Sequence, residues 1–348
     1  MLSIELGGRH IGGGHAPFVI AEVAQSHDGN INIAHSFIDA AADAGADAIK
    51  YQTHTAAEET TTAEPWRVKF SRIDASRYDY WERMEFPEQA WRDLAAHAAE
   101  RGLVFLSTAF SSQAVEMLDR LGMAAWKVAS GEMTNLPLIE QMAATGKPVM
   151  LSSGMSPFEE LDRAAAVVRR HGAPLAMFQC TTAYPCPPER WGLNVLQQLQ
   201  ERYDCPVGLS DHSATSHAGL AAIALGAALI EVHVTFHPAM FGPDVPASVT
   251  FEELRRLVDG GRQIRTALNS PIDKAQEAAR LAPLRAIFTK SIVVKADLPA
   301  GHILSMDDIT FRKPGDGIAV SDYREVIGRS LKVGVEAGSQ LRWAHLEG

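Results

Sequence analysis

The chain has 348 residues, of which 46% are hydrophobic and 21% are charged, and its formal net charge at pH 7 is −10. This composition indicates a large globular domain with a small appendage, and the charge excludes non-specific nucleic-acid binding, which requires a basic surface. No apolar run of about 18 residues and no signal-peptide pattern occurs, so we expect no membrane span. Three cysteines, none in a close metal-finger pair, favour reduced thiols and a cytoplasmic location.

The order of elements along the chain predicts the fold. LSIELGGRHIGGGH (2–15) predicts a hairpin that caps the floor of a barrel. Eight short runs follow, each mostly apolar rather than alternating, which is typical of parallel strands buried on both faces. The runs are 18–23, 47–52, 103–108, 124–130, 148–153, 175–181, 206–210 and 228–235. Because a helical segment follows each run, we predict a (β/α)8 TIM barrel.

A doubly wound open sheet is the alternative to the barrel. Such a sheet usually has a glycine-rich phosphate loop after its first strand, and AEVAQSHDGN is not such a loop. After about residue 270 the pattern changes to short alternating strands, turns and glycines. We therefore assign 1–270 to the barrel with its hairpin, 271–288 to a linker with a helix, and 289–348 to a small β-rich domain.

Polar residues occur at the end of every predicted strand, where TIM barrels carry their active sites. In strand order they are Glu22; Lys50 and Gln52; Ser107 and Thr108; Lys127, Ser130 and Glu132; Ser152 and Ser153; Thr181, Thr182 and Tyr184; Ser210, Asp211 and His212; Glu231 and His233. Ammonium groups, hydroxyls and glycine turns at one mouth predict a site for a phosphate and a carboxylate. We expect the two lysines to bind an anion, because an unpaired buried ammonium is costly.

Two histidines suggest a metal at the same mouth. His212 and His233, on adjacent strands, could hold one divalent ion and leave positions for substrate and water, although structural roles fit the pattern equally well. Glu22 is either a general base or an ion-pair partner of a lysine. Tyr184 either faces the site or packs on the prolines of AYPCPP. The residues alone therefore predict a metal-assisted enzyme for a small phosphorylated anion.

An aromatic and basic insertion, EPWRVKFSRIDASRYDYWERMEF (64–86), follows the second strand. It is either a surface segment that packs on itself or a cover for the substrate. We predict no catalytic role for His54, His217 or His237.

Most of the chain resembles the sialic acid synthases, which include N-acetylneuraminate, legionaminate and pseudaminate synthases. The segments that carry the resemblance are FVIAEVAQSHDGNINIAHSFIDAAADAGADAIKYQTH, WKVASGEMTNLPLIEQMAATGKPVMLSSGMS, QCTTAYPCPP, VGLSDHS, ALIEVHVT and GPDVPAS. The final segment, from SIVVKADLPAGHILSMDDITF onward, resembles the SAF (antifreeze-like) domain that follows the barrel in this family.

The resemblance implies a reaction and the residues that perform it. Phosphoenolpyruvate would condense with the aldehyde of an N-acylated amino sugar such as N-acetylmannosamine, and with water, to give a nonulosonic acid and phosphate. His212 and His233 would bind Mn²⁺, or alternatively Mg²⁺ or Co²⁺, and Glu22 would be the acid/base. The residues implied for phosphoenolpyruvate are Lys50, Thr108, Lys127, Ser130, Ser152 and Ser210. Those implied for the acceptor sugar are Gln52, Glu132, Tyr184 and Asp244.

Three positions depart from the family pattern. Ser26 stands where asparagine is common, and Thr182, a further candidate for substrate binding, stands where asparagine or serine is frequent. In FRKPGDG, Lys313 takes the place of an arginine that reaches the acceptor's N-acyl group in the neighbouring subunit, and Arg312 precedes it. Lysine lacks the planar bidentate fork of arginine. These departures leave the acceptor open.

The resemblance also implies a domain-swapped homodimer, in which Arg312 or Lys313 completes the site of the other chain. Two alternatives remain at this point. One is a related phosphoenolpyruvate-dependent synthase with a different acceptor, for a spore-coat or surface polysaccharide. The other is a carbohydrate-binding or structural protein that kept the barrel without catalysis.

Overall fold

The computed structural model describes residues 3–347. The chain divides into two compact units, Met1–Ser270 and Pro271–Gly348. No helix among the described residues is both long and apolar enough to cross a membrane.

An antiparallel hairpin of β1 (Ser3–Leu6) and β2 (Arg9–Gly12) opens the first unit. Gly7 and Gly8 form its two-residue turn with φ of 56° and 75°, which glycine adopts without steric cost. Leu6 and Ile11 pack into an apolar cluster with the first residues of the barrel strands. The hairpin therefore covers the floor of the barrel, as predicted.

Eight parallel strands form the barrel, and the predicted (β/α)8 fold is confirmed. They are β3 (Phe18–Ala24), β4 (Ala48–Thr53), β5 (Val104–Ala109), β6 (Trp126–Val128), β7 (Val149–Ser152), β8 (Leu175–Cys180), β9 (Val207–Asp211) and β10 (Leu229–Thr235). The hydrogen-bonded order is β5-β4-β3-β10-β9-β8-β7-β6, and β5 lies against β6. An open doubly wound sheet would not place strands in cyclic chain order, so that alternative is wrong.

Helices surround the strands. They are α1 (Ile31–Asp43), α2 (Ala56–Glu59), α3 (Arg77–Met84), α4 (Glu88–Glu100), α5 (Ser112–Arg120), α6 (Leu136–Ala144), α7 (Phe158–Arg170), α8 (Leu193–Tyr203), α9 (His217–Ala224) and α10 (Phe251–Leu268). All but the short α2 and α3, which share a separate small cluster, bury apolar faces against the strands. Local capping defines their starts: Asn30 caps α1, and Thr250 with Glu253 forms a capping box on α10. A short strand, β11 (Val249–Thr250), pairs with β10.

Strand register brings the polar strand ends to one level. His233 on β10 pairs with Glu22 on β3, and Glu22 pairs with Lys50 on β4. Ser210 on β9 pairs with Glu231 on β10. β6 is shorter than the run predicted over 124–130, because the chain turns into a 3-10 helix, Ser130–Glu132, directly after it.

The second unit begins with α11 (Lys274–Arg280) and α12 (Ala282–Phe288). An antiparallel pair follows, β12 (Ser291–Val294) with β13 (Ile309–Arg312), and then the short helix α13 (Tyr323–Val326). Further isolated bridges join the loops, and buried aliphatic side chains form a separate small core. The second unit is thus small and β-rich, with short strands.

Candidate active site

Two adjoining cavities lie at the carboxyl ends of the barrel strands. The inner cavity has a volume of about 190 Å³ and the outer cavity about 660 Å³. Of the predicted site residues, the inner cavity is lined by Glu22, Lys50, Gln52, Thr108, Lys127, Ser130, Ser152, Thr182, Tyr184, Ser210, His212 and His233. Gln52, Thr182, Tyr184 and His233 line both cavities, and Asp244 lines the outer one.

The two buried lysines of the inner cavity are each paired with a carboxylate. Lys50 Nζ lies 2.7 Å from Glu22 Oε2 and donates to Thr108 Oγ1 at 3.1 Å. Lys127 Nζ donates to Glu231 Oε1 at 3.2 Å. Both lysines are only 3% exposed. With both carboxylates ionised the four charges balance, and protonation of one carboxylate leaves a positive excess for an anion.

Glu22 and Glu231 sit in different electrostatic surroundings. Burial raises the pKa of Glu22 to about 7; Lys50 opposes the rise and Glu231 adds to it. Burial also acts to raise the pKa of Glu231, but Lys127 and Lys50 outweigh it, and the pKa is lowered. A carboxyl group poised near neutrality beside one that stays ionised is an arrangement that separates acid/base and electrostatic roles.

Glu231 is one of the polar residues predicted at the strand ends, but no role is predicted for it. It accepts from Ser210 Oγ at 2.9 Å as well as from Lys127, and its second oxygen lies 3.8 Å from Lys50 Nζ. The sequence contains a signal for it, because side chains alternate along a strand and 231 shares a face with His233. A carboxylate beside two buried lysines is what electroneutrality requires.

Hydroxyls and a glycine form the wall opposite Glu22. Gly154 N donates to Ser130 Oγ at 3.1 Å. A Cβ atom on Gly154 would lie 2.5 Å from Ser130 Oγ and 2.7 Å from Thr182 Oγ1. The close approach of this backbone therefore requires glycine, and it keeps three polar groups together at the cavity surface.

The imidazoles of His212 and His233 face each other, with ring centroids 5.2 Å apart. His212 Nδ1–H donates to the Thr181 carbonyl at 2.9 Å, which leaves Nε2 as the basic nitrogen. The Tyr184 ring packs 4.1 Å from the His212 ring. His233 Nδ1 is buried, with no hydrogen-bond partner among residues 3–347. Burial and the neighbouring His212 hold the pKa of His233 well below its ordinary value.

These two imidazoles fit a divalent ion. The unpartnered buried nitrogen of His233, its lowered pKa and the fixed tautomer of His212 suit metal ligation. The pKa of His212, by contrast, is raised, because the effect of burial is outweighed by its contact with Cys180. In the described part of the chain, no group of three or more His, Cys, Asp or Glu side chains is arranged to hold a metal. A metal here would complete its coordination with substrate or water rather than with protein.

The outer cavity is walled by residues 64–86, which we call the lid segment. Phe70, Tyr80 and Trp81 provide its apolar surface. The Arg67 guanidinium lies 4.6 Å above the Tyr184 ring and 3.8 Å from Asp244 Oδ1. The segment packs on its own small core and also lines the outer cavity, and its role as a cover for the substrate stays a prediction.

Internal ion pairs stabilise the lid segment. Glu64 accepts from Arg77 Nε at 2.7 Å and from Trp81 Nε1 at 2.9 Å. Arg83 pairs with Asp74 at 2.8 Å. Arg67 was not predicted from the sequence, because an irregular segment has no periodicity that indicates which side chain faces the barrel.

Three predicted residues lie outside both cavity linings. Glu132, on the 3-10 helix after β6, accepts from Asn135 Nδ2 at 2.8 Å. Arg312 ends β13 in the second unit. Lys313 follows it, with its ammonium 4.9 Å from the centroid of the Phe288 ring.

Comparison with known proteins identifies the family. Residues 37–273 match the model of the NeuB family, and residues 289–347 match that of the SAF domain. The chain belongs to the NeuB family. N,N'-diacetyllegionaminic acid synthase from Campylobacter jejuni is 36% identical over 317 residues, which cover 89% of this chain and 94% of that protein.

Two further similar proteins are named as synthases of N-acetylneuraminic acid or of its 9-phosphate. N-acetylneuraminate-9-phosphate synthase from Homo sapiens is 32% identical over 94% of this chain and 92% of that protein. The crystal structure of N-acetylneuraminic acid synthetase from Leptospira borgpetersenii has a TM-score of 0.72 and 30% identity, covering 81% of this chain and 96% of that one.

Membership in the NeuB family confirms several predictions. The chain is an enzyme, a phosphoenolpyruvate-dependent nonulosonic acid synthase with a C-terminal SAF domain. The non-catalytic alternative is therefore wrong. Family substrates are phosphoenolpyruvate and an amino sugar, and the family is generally metal-dependent.

Proposed function

We propose that the enzyme condenses phosphoenolpyruvate with the open-chain aldehyde of an N-acylated amino sugar resembling N-acetylmannosamine, and with water, giving a nonulosonic acid and phosphate. One observation carries the proposal. A small cavity opens into a larger, partly aromatic cavity, and the small one contains two buried lysines and Glu22, whose pKa is raised to about 7. The first suits a compact anion with a phosphate and a carboxylate, and the second suits a sugar.

Phosphoenolpyruvate occupies the inner cavity in this proposal. Lys50 and Lys127 supply charge, while the hydroxyls of Ser130 and Thr108 supply directed hydrogen bonds.

The chain's own residues move the protons and hold the charges. When bound between His212 and His233, a divalent ion such as Mn²⁺ would polarise the aldehyde oxygen. The enol carbon of phosphoenolpyruvate bonds to the aldehyde carbon as the carbon–oxygen double bond of the aldehyde opens. Glu22 removes a proton from a water that adds to the second carbon of phosphoenolpyruvate, and this proton passes to the former aldehyde oxygen. The bond between that second carbon and the phosphate oxygen then breaks. The new hydroxyl on this carbon becomes the ketone and gives its proton to the leaving phosphate, whose charge the lysines stabilise.

The acceptor lies in the outer cavity, against Tyr184, Asp244 and Arg67. A different sugar acceptor, for a spore-coat or surface polysaccharide, is the second candidate. It is favoured by the lysine at position 313, where the family pattern has arginine. Both candidates share the inner cavity and differ only in what fills the outer one.

The test is mass spectrometry of products from phosphoenolpyruvate, Mn²⁺ and a panel of 2-acetamido and diacetamido sugars, with released phosphate measured in parallel. We expect one acceptor to gain the three-carbon unit with equimolar phosphate. Folded, metal-loaded enzyme that releases phosphate with no amino sugar would contradict the proposal.

We also propose a homodimer in which Arg312 or Lys313 of one chain completes the acceptor site of the other. Exposed apolar side chains on α12, at Leu284, Ile287 and Phe288, support a docking role for the second unit. Mixing a Glu22→Gln chain with an Arg312→Ala/Lys313→Ala chain should restore part of the activity. A monomer by light scattering, or no restoration after verified subunit exchange, would show that each chain builds its site alone.

A further inference from the structure

A third cavity, of about 130 Å³, lies at the other end of the barrel, where the strands begin. We call it the floor cavity. It is lined by residues 12–15, which end β2 and lead toward β3, by Gln200 of α8 and the turn after this helix, by the segments that lead into β9 and β10, and by Arg265. None of these residues belongs to the inner or outer cavity.

Arg265, in the last turn of α10, is buried here without a counter-charge. Arg265 is only 7% exposed, and its Nη2 donates to the Ala227 carbonyl at 2.8 Å. Its Nε is buried and has no hydrogen-bond partner among residues 3–347. Burial lowers the pKa of Arg265. Among residues 3–347 no carboxylate raises this pKa in compensation, although Asp204 also lines the cavity.

Arg262, one turn earlier on α10, is an arginine of the same region whose guanidinium has both a hydrogen-bond acceptor and a nearby carboxylate. It donates to the Gly45 carbonyl at 3.0 Å and lies 3.9 Å from Asp47 Oδ1, with about half of its side chain exposed. Arg265 instead lines a cavity while buried, with its Nε unpartnered, and burying such a cation is costly unless something negative lies beside it.

We propose that the floor cavity binds a small oxyanion of phosphate size, held by the guanidinium of Arg265. The volume is below the roughly 300–1,000 Å³ of pockets for drug-sized ligands, which excludes nucleotides and sugars. Gly13 and Gly14 adopt φ of 59° and 91° and carry no side chains, so the loop backbone can approach the anion closely. His15 adds a nitrogen donor to the same lining.

Such an anion would join the hairpin, α8 and α10 to the segments that precede β9 and β10. Because it would bind the folded chain and not the unfolded one, it would stabilise the fold in a concentration-dependent way. Its position at the strand N-termini separates it from the phosphoenolpyruvate site.

The experiment uses inorganic phosphate as the probe and isothermal titration calorimetry as the measurement. The background is a Lys50→Met/Lys127→Met chain, in which the upper anion site has lost its cations. We expect phosphate still to bind this chain. Adding Arg265→Met should weaken the binding at least about tenfold, since hydrogen bonds to charged groups are the strong ones. Adding Arg262→Met, which removes the same charge from the same helix, should leave it unchanged.

Gln200→Glu provides a second route if the Arg265 variant does not fold. It places a carboxylate of nearly the same size in the cavity lining, where it would pair with Arg265 and exclude phosphate. Absence of phosphate binding to the Lys50→Met/Lys127→Met chain, or equal affinity with and without either floor variant, would overturn the proposal. Either failure leaves the reaction at the upper end of the barrel untouched.

Discussion

The inner and outer cavities share a border but are built differently. Most side chains that hold the inner cavity come from barrel strands whose register fixes their level, and its charged groups are almost fully buried. The outer cavity is walled by the lid segment and by loops after β8 and β10, and its cation Arg67 is half exposed. The rigid part is suited to chemistry that must not vary, and the loop-built part to the choice of acceptor.

Replacing Glu22 by glutamine is the most severe test of the inner cavity. The amide keeps the size and the contact with Gln52 but cannot take a proton from water. We expect kcat to fall about 10²–10⁴-fold, the usual contribution of a general base. Phosphoenolpyruvate affinity should be kept, since a negative charge is removed. Glu116→Gln, on the exposed face of α5, is the control. A loss smaller than tenfold would assign Glu22 a structural role.

Loss of either inner lysine should weaken phosphoenolpyruvate binding. Each charge-assisted hydrogen bond in a buried site is worth about 1.5–3 kcal/mol, so Lys50→Met and Lys127→Met should each raise the KM for phosphoenolpyruvate at least about tenfold. Lys147→Met is the matched control, because this lysine pairs with Asp119 on the outside of the barrel. An unchanged KM in both inner variants would contradict the anion role.

The same contrast explains what could be predicted from the sequence. Uninterrupted apolar runs indicate parallel strands, and the ends of these runs indicate the mouth, so the pattern alone assigns Glu22, Lys50 and His233 to it. Register then determines which of them meet, and that depends on tertiary pairing. Glu231 shows the limit: its neighbours Lys127 and Lys50 are distant in sequence, so its role as their counter-ion does not follow from the pattern.

The outer cavity could not be predicted in the same way. The amino-acid sequence of the lid segment does not distinguish Arg67, which lies over the Tyr184 ring, from Arg77, which is paired with Glu64. Loop conformation follows from many weak contacts rather than from a period. The burial of Arg265 could not be predicted for a different reason: a cation in an amphipathic helix is ordinarily expected on the solvated face.

Arg67→Ala probes the outer cavity alone. The substitution removes a cation–π contact and a loose ion pair, which are worth about 0.5–2 and 0.2–1 kcal/mol. We expect the KM for the acceptor sugar to rise about three- to tenfold while the KM for phosphoenolpyruvate stays the same. Arg72→Ala, at an exposed position of the same segment, is the control. A larger change in the KM for phosphoenolpyruvate than in the KM for the acceptor would contradict the assignment of the two substrates to separate cavities.

The smallest expected effect is a shift in pH dependence that couples the two carboxyl groups of the inner cavity. Burial raises the pKa of Glu22 to about 7 in the free enzyme, so its basic form is lost as the pH falls through that value, and kcat/KM should fall with it. In Glu231→Gln the neighbouring negative charge is gone and Lys127 loses its partner, and both changes favour ionised Glu22. The acid limb of the kcat/KM profile should therefore move to lower pH, by up to about one unit. Glu132→Gln, outside both cavities, should leave the limb in place. A shift to higher pH would mean that the limb reports a group other than Glu22.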